Sequence, residues 1–356
     1  MDGDKAFTFI DLFAGIGGFR IAFEEVGGKC VFSSEYNKYS QLTYEKFFGE
    51  RPEFENIQPT NPPGDITQLP PNKVPKHDIL TAGFPCQPFS LAGVSKKQSM
   101  GRPHGFEDPT QGTLFFNIKK ILLEKRPLAF LLENVKNLKT HNGGKTFRVI
   151  TDTLKEVGYD VFPNIIDAAR WLPQHRERIY IAGFRKPENG QLWSIPEFPE
   201  FYLLNETFSS PISLVNIVEK NVPDKYTLKE GTWTALIRHK NHHQSIGQGF
   251  GYGIIDNPFD GKITRTLSAR YYKDGAEILI NQEGKLPRRL TPLECSKLMG
   301  FPKKYQVFFE RRLDIPQPVS DNQAYRQFGN SVAVPVVTEI ARVMVKKMNS
   351  VGAFNY

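Results

Sequence analysis

Short apolar runs alternate with amphipathic helical patterns over the first half of the chain. Five runs have the length and the flanking turns of strands, at residues 7–10, 29–34, 77–81, 128–132 and 179–184. Helical patterns follow the first run and begin again near residues 112 and 333. Alternation of this kind is typical of an α/β fold, in which strands are buried between layers of helices.

The pattern changes near residue 186, where strand–helix alternation fades and Pro and Gly become more frequent. Residues 238–244 are basic and include three histidines, which lack cysteine partners and metal-ligand spacing, so no metal site is predicted. Residues 264–273 combine basic and aromatic side chains in a loop-rich stretch. Such a segment can read base edges and grip phosphates.

Length and charge narrow the class of protein. The 356 residues suffice for two domains, and the net charge of +8 favours a polyanionic partner. The 3 cysteines lie far apart and do not resemble a disulfide scaffold. The first residues lack the regions of a signal peptide, and no apolar run approaches the length of a membrane span. We therefore expect a soluble protein of a reducing compartment.

A glycine-rich turn follows the first predicted strand, over residues 11–18, and leads into a helix. Glycines let the backbone approach a ligand, and a helix N-terminus offers unpaired amides. The turn lacks the GxGxxG pattern, which disfavours a nicotinamide cofactor. Glu35 ends the second predicted strand, where a nucleoside ribose would be held, and Tyr36 could stack on adenine. The acceptor-only carboxylate of Asp65 could bind the adenine amine.

Reactive or ionisable side chains lie at three further strand ends. Prolines flank Cys86 and break regular structure, which places its thiol at the tip of the third strand. Glu133 ends the next strand and would lie beside the thiol strand in a parallel sheet, where burial would raise its pKa so that it can donate a proton. Arg176 and Arg178 share one face of an extended segment and suit phosphate or carbonyl oxygens. A buried structural cysteine, a helix-capping glutamate and a surface Arg–Glu ladder remain the alternative interpretations.

Six motifs occur in order, at residues 11–18 (DLFAGIGG), 83–87 (GFPCQ), 112–116 (GTLFF), 133–135 (ENV), 174–178 (QHRER) and 327–331 (QFGNS). Together they resemble the C5-cytosine DNA methyltransferase family over essentially the whole chain. Residues 88–97 and 264–275 are similar to the bacterial Dcm-type enzymes. The resemblance implies an α/β, Rossmann-like methyltransferase fold, whose mixed sheet has helices on both faces, plus a smaller irregular β-rich target-recognition domain. It also implies a discontinuous catalytic cofactor-binding domain, residues 1–188 and 320–356, with the target-recognition domain at 189–319.

The resemblance also implies a role for each catalytic residue. Cys86 would add to carbon 6 of cytosine, and Glu133 would hold the ring's N3 and exocyclic amine and supply a proton. Arg178 would contact the carbonyl oxygen of the base, and Arg176 would support the site. The cytosine would be flipped out of the duplex, and a lid from Gln87 to about residue 105 would close over it.

The implied cofactor is S-adenosyl-L-methionine. The residues expected to bind it are Phe13, Gly15, Gly17, Glu35, Tyr36, Asp65, Asn330 and Ser331. The residues expected to contact DNA are Gln87, Ser90, Arg265, Thr266 and Arg270. The expected partner is double-stranded DNA, with the internal cytosine of CC(A/T)GG or a related CC-GG site as target. We further expect a monomer in the bacterial cytoplasm, associated with the nucleoid, and a restriction endonuclease that acts separately; no membrane association is expected.

Three other functions fit part of the pattern. A zinc cytidine deaminase needs a second cysteine three positions after the first, and position 89 is Phe. A catalytically inactive DNA-binding homologue is disfavoured because Cys86, Glu133 and Arg178 are all present. A tRNA cytosine methyltransferase would use the same catalytic motifs, but a full-sized variable region favours DNA.

Overall fold

The structure is a computed structural model that describes residues 7–52, 64–85, 114–187, 193–206, 212–247 and 251–355. Within these ranges a large sheet has the strands β1 Thr8–Leu12, β2 Lys29–Ser34, β3 Ile79–Gly83, β4 Ala129–Val135, β5 Tyr159–Asp167 and β6 Glu177–Arg185. Their order is β2-β1-β3-β4-β6-β5. Strands β1 to β4 pair in parallel, and β6 runs antiparallel to both β4 and β5. The predicted mixed sheet is confirmed.

Helices account for most of the remaining regular structure in the described ranges. They are α1 Gly18–Glu25, α2 Lys38–Phe48, α3 Leu114–Lys125, α4 Lys145–Glu156, α5 Pro199–Leu203, α6 Glu230–Ser245, α7 Pro292–Leu298, α8 Lys303–Gln306, α9 Asp321–Asn330 and α10 Val334–Ser350. Short 3-10 turns connect several of the elements, including Ile66–Gln68 between α2 and β3 and Lys136–Lys139 after β4.

Helices cover both faces of the large sheet. Phe9 packs into an apolar cluster that includes side chains of α1 and α10, whereas its neighbour Ile10 packs into a second cluster with α3 and α4. Leu131 and Leu132 of β4 divide in the same way. Because successive side chains of a strand point to opposite faces, a strand covered on both faces needs an unbroken apolar run. This requirement explains why these strands were visible in the sequence.

A smaller sheet lies in the irregular half of the chain. It has the strands β7 Ile254–Ile255, β8 Leu279–Gln282 and β9 Lys285–Arg289. Strand β8 is central, parallel to β7 and antiparallel to β9. Beside it, Arg288 forms a bidentate ion pair with Glu294, with N–O distances of 2.8 and 2.9 Å, and both side chains are buried. The backbone N–H of Thr291 also donates to Glu294, within a capping box that begins α7.

The segment Asp321–Ser350 has the length and composition of a membrane-spanning helix. No run of this kind was expected from the sequence. The difference arises because the segment joins α9 and α10, between which residues 331–333 are not helical. Within its apolar 18-residue window, 67% is buried inside the protein. Helix α10 packs against α1, so we interpret the pair as core helices.

Candidate active site

A cavity of about 940 Å³ lies at the carboxyl ends of the parallel strands. Of the predicted site residues, those that line it are Phe13, Gly15, Glu35, Tyr36, Asp65, Glu133, Arg176, Arg178, Arg270, Asn330 and Ser331. Gly17, Arg265 and Thr266 are described but do not line it. Cys86, Gln87, Ser90 and the predicted lid lie outside the described residues. The carboxyl ends of parallel strands are where open α/β sheets bind their ligands.

The turn after β1 approaches Glu35 at the end of β2. Phe13 and Gly15 both adopt positive φ angles, 56° and 58°, which turn the chain sharply before α1. The N–H of Gly15 donates to one oxygen of Glu35 at 2.7 Å, and the N–H of Asn37 donates to the other at 2.6 Å. Burial raises the pKa of Glu35, and these backbone donors partly oppose the shift. A Cβ at Gly15 would meet nothing within 4 Å, so the turn faces open space.

Tyr36 and Asp65 flank this turn at the cavity wall. The ring of Tyr36 is 62% exposed, which leaves it accessible for stacking on a ligand. The carboxylate of Asp65 accepts from the N–H and the hydroxyl of Thr67 and from the amide of Gln68. Burial tends to raise the pKa of Asp65, but these hydrogen bonds outweigh it and lower the pKa. Asp65 therefore caps the turn that follows it while lining the cavity.

Gly17 does not line the cavity; it packs against a side chain of α2. It precedes α1 with a φ of 82°, and a Cβ there would lie 2.3 Å from the ring of Phe48. Its N–H donates to the carbonyl of Ala14. A side chain at this position would displace the ring of Phe48 and strain the turn. The glycine thus shapes the turn that carries the cavity-lining residues.

Glu133 lies on the strand next to the one that leads towards Cys86. In the parallel ladder between β3 and β4, Glu133 is opposite Gly83, which confirms the predicted pairing of these strands. The Nε of Arg178 on β6 lies 3.1 Å from Oε1 of Glu133, and the two side chains are only 14% and 12% exposed. Burial raises the pKa of Glu133, while Arg178 and then Arg176 lower it. A buried carboxyl beside an arginine can both hold and release a proton.

Arg176 is buried and binds backbone carbonyls. Its guanidinium donates to the carbonyls of Leu267, Gly329 and Ser331, at 2.9, 3.0 and 2.5 Å. Burial, together with the charge of Arg178, lowers the pKa of Arg176 to about 9, while Glu133 opposes the shift. These contacts join the start of β6 to two distant segments, one of which ends at the cavity-lining Ser331.

Residues 173–176 and residues 264–267 contact each other through their backbones. We call this pair of segments the seam. The N–H of His175 donates to the carbonyl of Thr264, whose own N–H donates to the carbonyl of Pro173. The hydroxyl of Thr266 donates to the carbonyl of His175 at 2.6 Å. Arg265 is exposed and donates to the carbonyl of Gly251. The two predicted DNA contacts, Arg265 and Thr266, therefore lie at the seam.

The C-terminal segment returns to the cavity through α9. Gln327 accepts a hydrogen bond from Thr43 and donates to the carbonyl of Tyr39, both on α2. The residues that follow α9 pack closely against Gly18 at the start of α1, since a Cβ on Gly18 would lie 2.7 Å from the side chain of Val332. This docking places Asn330 and Ser331 at the cavity wall.

The comparisons with known proteins agree with this geometry. The family model for the C-5 cytosine-specific DNA methylase matches residues 7–346. The chain belongs to the C-5 cytosine-specific DNA methylase family. It is 45% identical to the DNA-cytosine methyltransferase of Escherichia coli strain K12 over 390 aligned residues, covering 98% of this chain and 79% of that protein. It is 46% identical to the type II methyltransferase M.DsaV of Dactylococcopsis salina over 346 residues, covering 96% and 86%.

Solved structures support the methyltransferase fold. The Schizosaccharomyces pombe Dnmt2 methyltransferase matches with a TM-score of 0.67 at 19% identity, covering 97% of this chain and 99% of that one. A Spodoptera frugiperda DNMT2 mutant matches with a TM-score of 0.66 at 22% identity, covering 95% and 99%. The predicted fold class is confirmed, and the chain is a DNA (cytosine-5)-methyltransferase.

Asn134 is a residue of this methyltransferase whose contact the sequence did not reveal. Its side-chain amide donates to the carbonyl of Phe84 at 2.8 Å, and its oxygen accepts from the N–H of Val135. The side chain is 3% exposed. It therefore fixes the backbone two residues before Cys86. The only signal in the sequence was its place between Glu133 and Val135 in the ENV motif.

Proposed function

We propose that this methyltransferase transfers a methyl group from S-adenosyl-L-methionine to carbon 5 of a cytosine that is flipped out of duplex DNA. The observation that carries the proposal is Glu133, buried beside Arg178 on the strand next to the one that leads to Cys86. A carboxyl and a guanidinium together complement the N3, the amine and the carbonyl oxygen along one edge of cytosine.

The residues around the β1 turn fit the proposed cofactor. Gly15 faces open space, Glu35 is fixed at the end of β2, and the ring of Tyr36 is accessible. Glu35 would bind the ribose hydroxyls and Tyr36 would stack on the adenine, while Asp65 would accept from its amine. Phe13, Gly17, Asn330 and Ser331 complete the proposed set, with Gly17 acting through the shape of the turn. When bound, the cofactor supplies an electrophilic methyl group on a sulfonium.

The proposed chemistry begins at carbon 6, which forms a bond with the Cys86 thiolate. Glu133 donates a proton to N3, so the ring becomes an enamine-like nucleophile without a full negative charge. Carbon 5 would then be the nucleophile that accepts the electrophilic methyl group supplied by the bound cofactor. A base such as water would then remove the carbon-5 proton, which restores the ring's double bond and expels the Cys86 thiolate, and N3 would return its proton to Glu133. Burial favours the protonated form of Glu133, while Arg178 keeps the proton from being held too tightly.

The proposal extends to recognition of the substrate. Gln87, Ser90, Arg265, Thr266 and Arg270 would contact DNA, and the target would be the internal cytosine of CC(A/T)GG or a related CC-GG site. Arg270 is exposed at the cavity, which suits a group that meets the extruded nucleotide. The catalytic domain would comprise residues 1–188 and 320–356, with the target-recognition domain between them. The seam and the contacts of Arg176 join these two units.

The proposed setting is the bacterial cytoplasm, at the nucleoid, where the enzyme would act as a monomer. Several relatives bear type II methyltransferase names, which supports a role beside a separate restriction endonuclease.

The decisive experiment measures transfer of labelled methyl from S-adenosyl-L-methionine to unmethylated plasmid, followed by bisulfite mapping. We expect the wild type and Cys30→Ala to methylate the second C of CC(A/T)GG, and Cys86→Ala to be inactive. Cys30 is a suitable control because it does not line the cavity. Equal activity of Cys86→Ala would exclude the covalent mechanism, and product at other sites would exclude only the target. Transfer to tRNA in preference to duplex DNA would instead favour the RNA alternative.

A further inference from the structure

Helix α9 presents a row of polar side chains to the cavity. Gln323, Arg326 and Asn330 all line it, at spacings of three and four residues that place them on one face of the helix. Other positions of the helix, including Tyr325 and Phe328, are buried in the core. A helix that is otherwise part of the core thus turns a polar face towards the space where substrate would enter.

The guanidinium of Arg326 is held at a defined place on this face. Its Cζ lies 4.0 Å from the centroid of the Tyr272 ring, a close cation–π contact. The helix beneath it is docked tightly, because a Cβ at Gly329, one turn further on, would lie 2.3 Å from the backbone of Ser268. The loop that carries Tyr272 and the helix that carries Arg326 therefore fix the charge from two sides.

The charge of Arg326 has no counterion in the part of the chain that the structure describes. No carboxylate there forms an ion pair with Arg326 or with Arg270, which is also exposed at the cavity. Asp321, on the same helix, pairs with Lys225 instead. An arginine that is oriented by stacking and free of a carboxylate offers a planar set of donors to an incoming anion.

We propose that Arg326 binds a phosphate of the DNA strand that carries the target cytosine, with its guanidinium oriented by Tyr272. The inference rests on the proposed function, since it takes duplex DNA as the substrate. A nucleotide that enters the cavity from a duplex keeps its phosphates at the exposed rim, where Arg326 lies. The carboxylate of the cofactor's amino-acid portion is the other source of an anion with the same chemistry.

Salt dependence of DNA binding distinguishes these two anions. Fluorescence anisotropy would measure binding of a labelled duplex that contains the target site, with S-adenosylhomocysteine present, over a range of salt concentrations. Each phosphate contact contributes about 0.9 to the slope of log K against log salt. We expect Arg326→Gln to lower the slope by about 0.9 and to weaken binding about eightfold at 0.1 M salt. The KM for S-adenosyl-L-methionine should stay within about twofold of the wild type.

Matched variants control for net charge and for folding. Lys346→Gln removes one positive charge from an exposed position on α10 that does not line the cavity, and its slope should match the wild type. Arg326→Lys should keep the slope, because it keeps the charge. Tyr272→Ala should weaken DNA binding, whereas Tyr272→Phe retains the ring and should bind as the wild type does.

An unchanged slope for Arg326→Gln would overturn the inference. An unchanged slope with a raised KM for S-adenosyl-L-methionine would assign Arg326 to the cofactor's carboxylate instead. These outcomes are separate from the proposed function, which depends on whether the wild type methylates plasmid DNA. A wild type that methylates DNA while Arg326→Gln keeps its full slope would refute only the role of Arg326.

Discussion

A completely buried carboxyl group lies in the large sheet, and another lies beside the small sheet. The first has few hydrogen-bond partners, whereas the second is fully paired. Asp11 in the large sheet has one oxygen 3.2 Å from the hydroxyl of Thr81 and another without a hydrogen-bond partner among the described residues. Burial raises the pKa of Asp11 to about 7, although Thr81 and Arg20 oppose the shift. Beside the small sheet, Glu294 is bound by both terminal nitrogens of Arg288 and by two backbone N–H groups.

The difference reflects how each region is held together. The large sheet has apolar clusters on both faces, so a single acid can be tolerated there in its neutral form. One side of the small sheet rests on a cluster whose buried members, among the described residues, are Leu228, Leu236 and Leu279. We infer that buried ion pairing supplies, in the smaller region, part of the order that apolar packing supplies in the larger one.

The largest expected effect is on chemistry at the large sheet. Glu133→Gln keeps the shape of the side chain but removes the proposed proton donor, so we expect kcat to fall about 10²–10⁴-fold while DNA affinity changes little. Initial rates of labelled-methyl transfer and anisotropy would measure both quantities. Glu124→Gln, at an exposed position of α3, is the control. Activity within about threefold of the wild type would show that Glu133 is not the donor.

The next effect tests the ion pair beside the small sheet. Glu294→Gln leaves the buried charge of Arg288 without its counterion, so we expect a loss of about 3–5 kcal/mol in the free energy of unfolding. Urea denaturation would measure it. Glu339→Gln breaks the more exposed pair with Arg342 and should cost under about 1 kcal/mol. Similar losses of unfolding free energy for the two variants would contradict the inference that buried ion pairing stabilises the smaller region.

The smallest effect concerns Asp11. Its pKa is higher in the folded protein than the ordinary value of 3.8, so its contribution to stability is complete below about pH 4 and is lost as the pH rises through about 7. From pH 5 to pH 8 we expect the wild type to lose about 3 kcal/mol relative to Asp11→Asn. Unfolding curves at several pH values would show it. Asp152→Asn, at an exposed position, should follow the wild type, and a parallel pH profile for Asp11→Asn would contradict the assignment.

Five strands of the large sheet were predictable from their short apolar runs, whereas strand β5 and helix α4 were not predicted. Strand β2 has the predicted bounds, and the other predicted strands lie within a few residues of their expected positions. Helix α2 was not predicted, because it buries the polar residues Ser40, Gln41 and Thr43. Helix α6 was not predicted either, since Leu236 is its only buried residue among those described. In both helices the periodicity that reveals an amphipathic helix is missing.

The candidate site also has a part that was predictable from the sequence and a part that was not. The positions of Glu35 and Glu133 at the cavity were predictable because both residues end apolar strands, where ligands of an α/β sheet are expected; their roles stay predictions. The partners of Arg176 could not be found, because they are backbone carbonyls 91 to 155 positions away in the chain. Carbonyls are the same in every residue type, so no sequence pattern marks the ones that an arginine will bind.

Because backbone contacts depend little on residue type, the seam has an evolutionary consequence. Thr264 and Leu267 dock through main-chain atoms, onto the main chain of residues 173–175 and onto the side chains of Gln174 and Arg176. Among the described contacts of residues 264–267 with residues 173–176, the hydroxyl of Thr266 is the one side-chain group that the first segment contributes. Arg265, whose side chain is exposed, can therefore diverge without loss of these main-chain contacts, whereas Thr264 and Leu267 are also buried. Under the domain division proposed above, such an enzyme could acquire a new DNA specificity by mutation or exchange of residues 189–319, while the proposed catalytic domain is inherited unchanged.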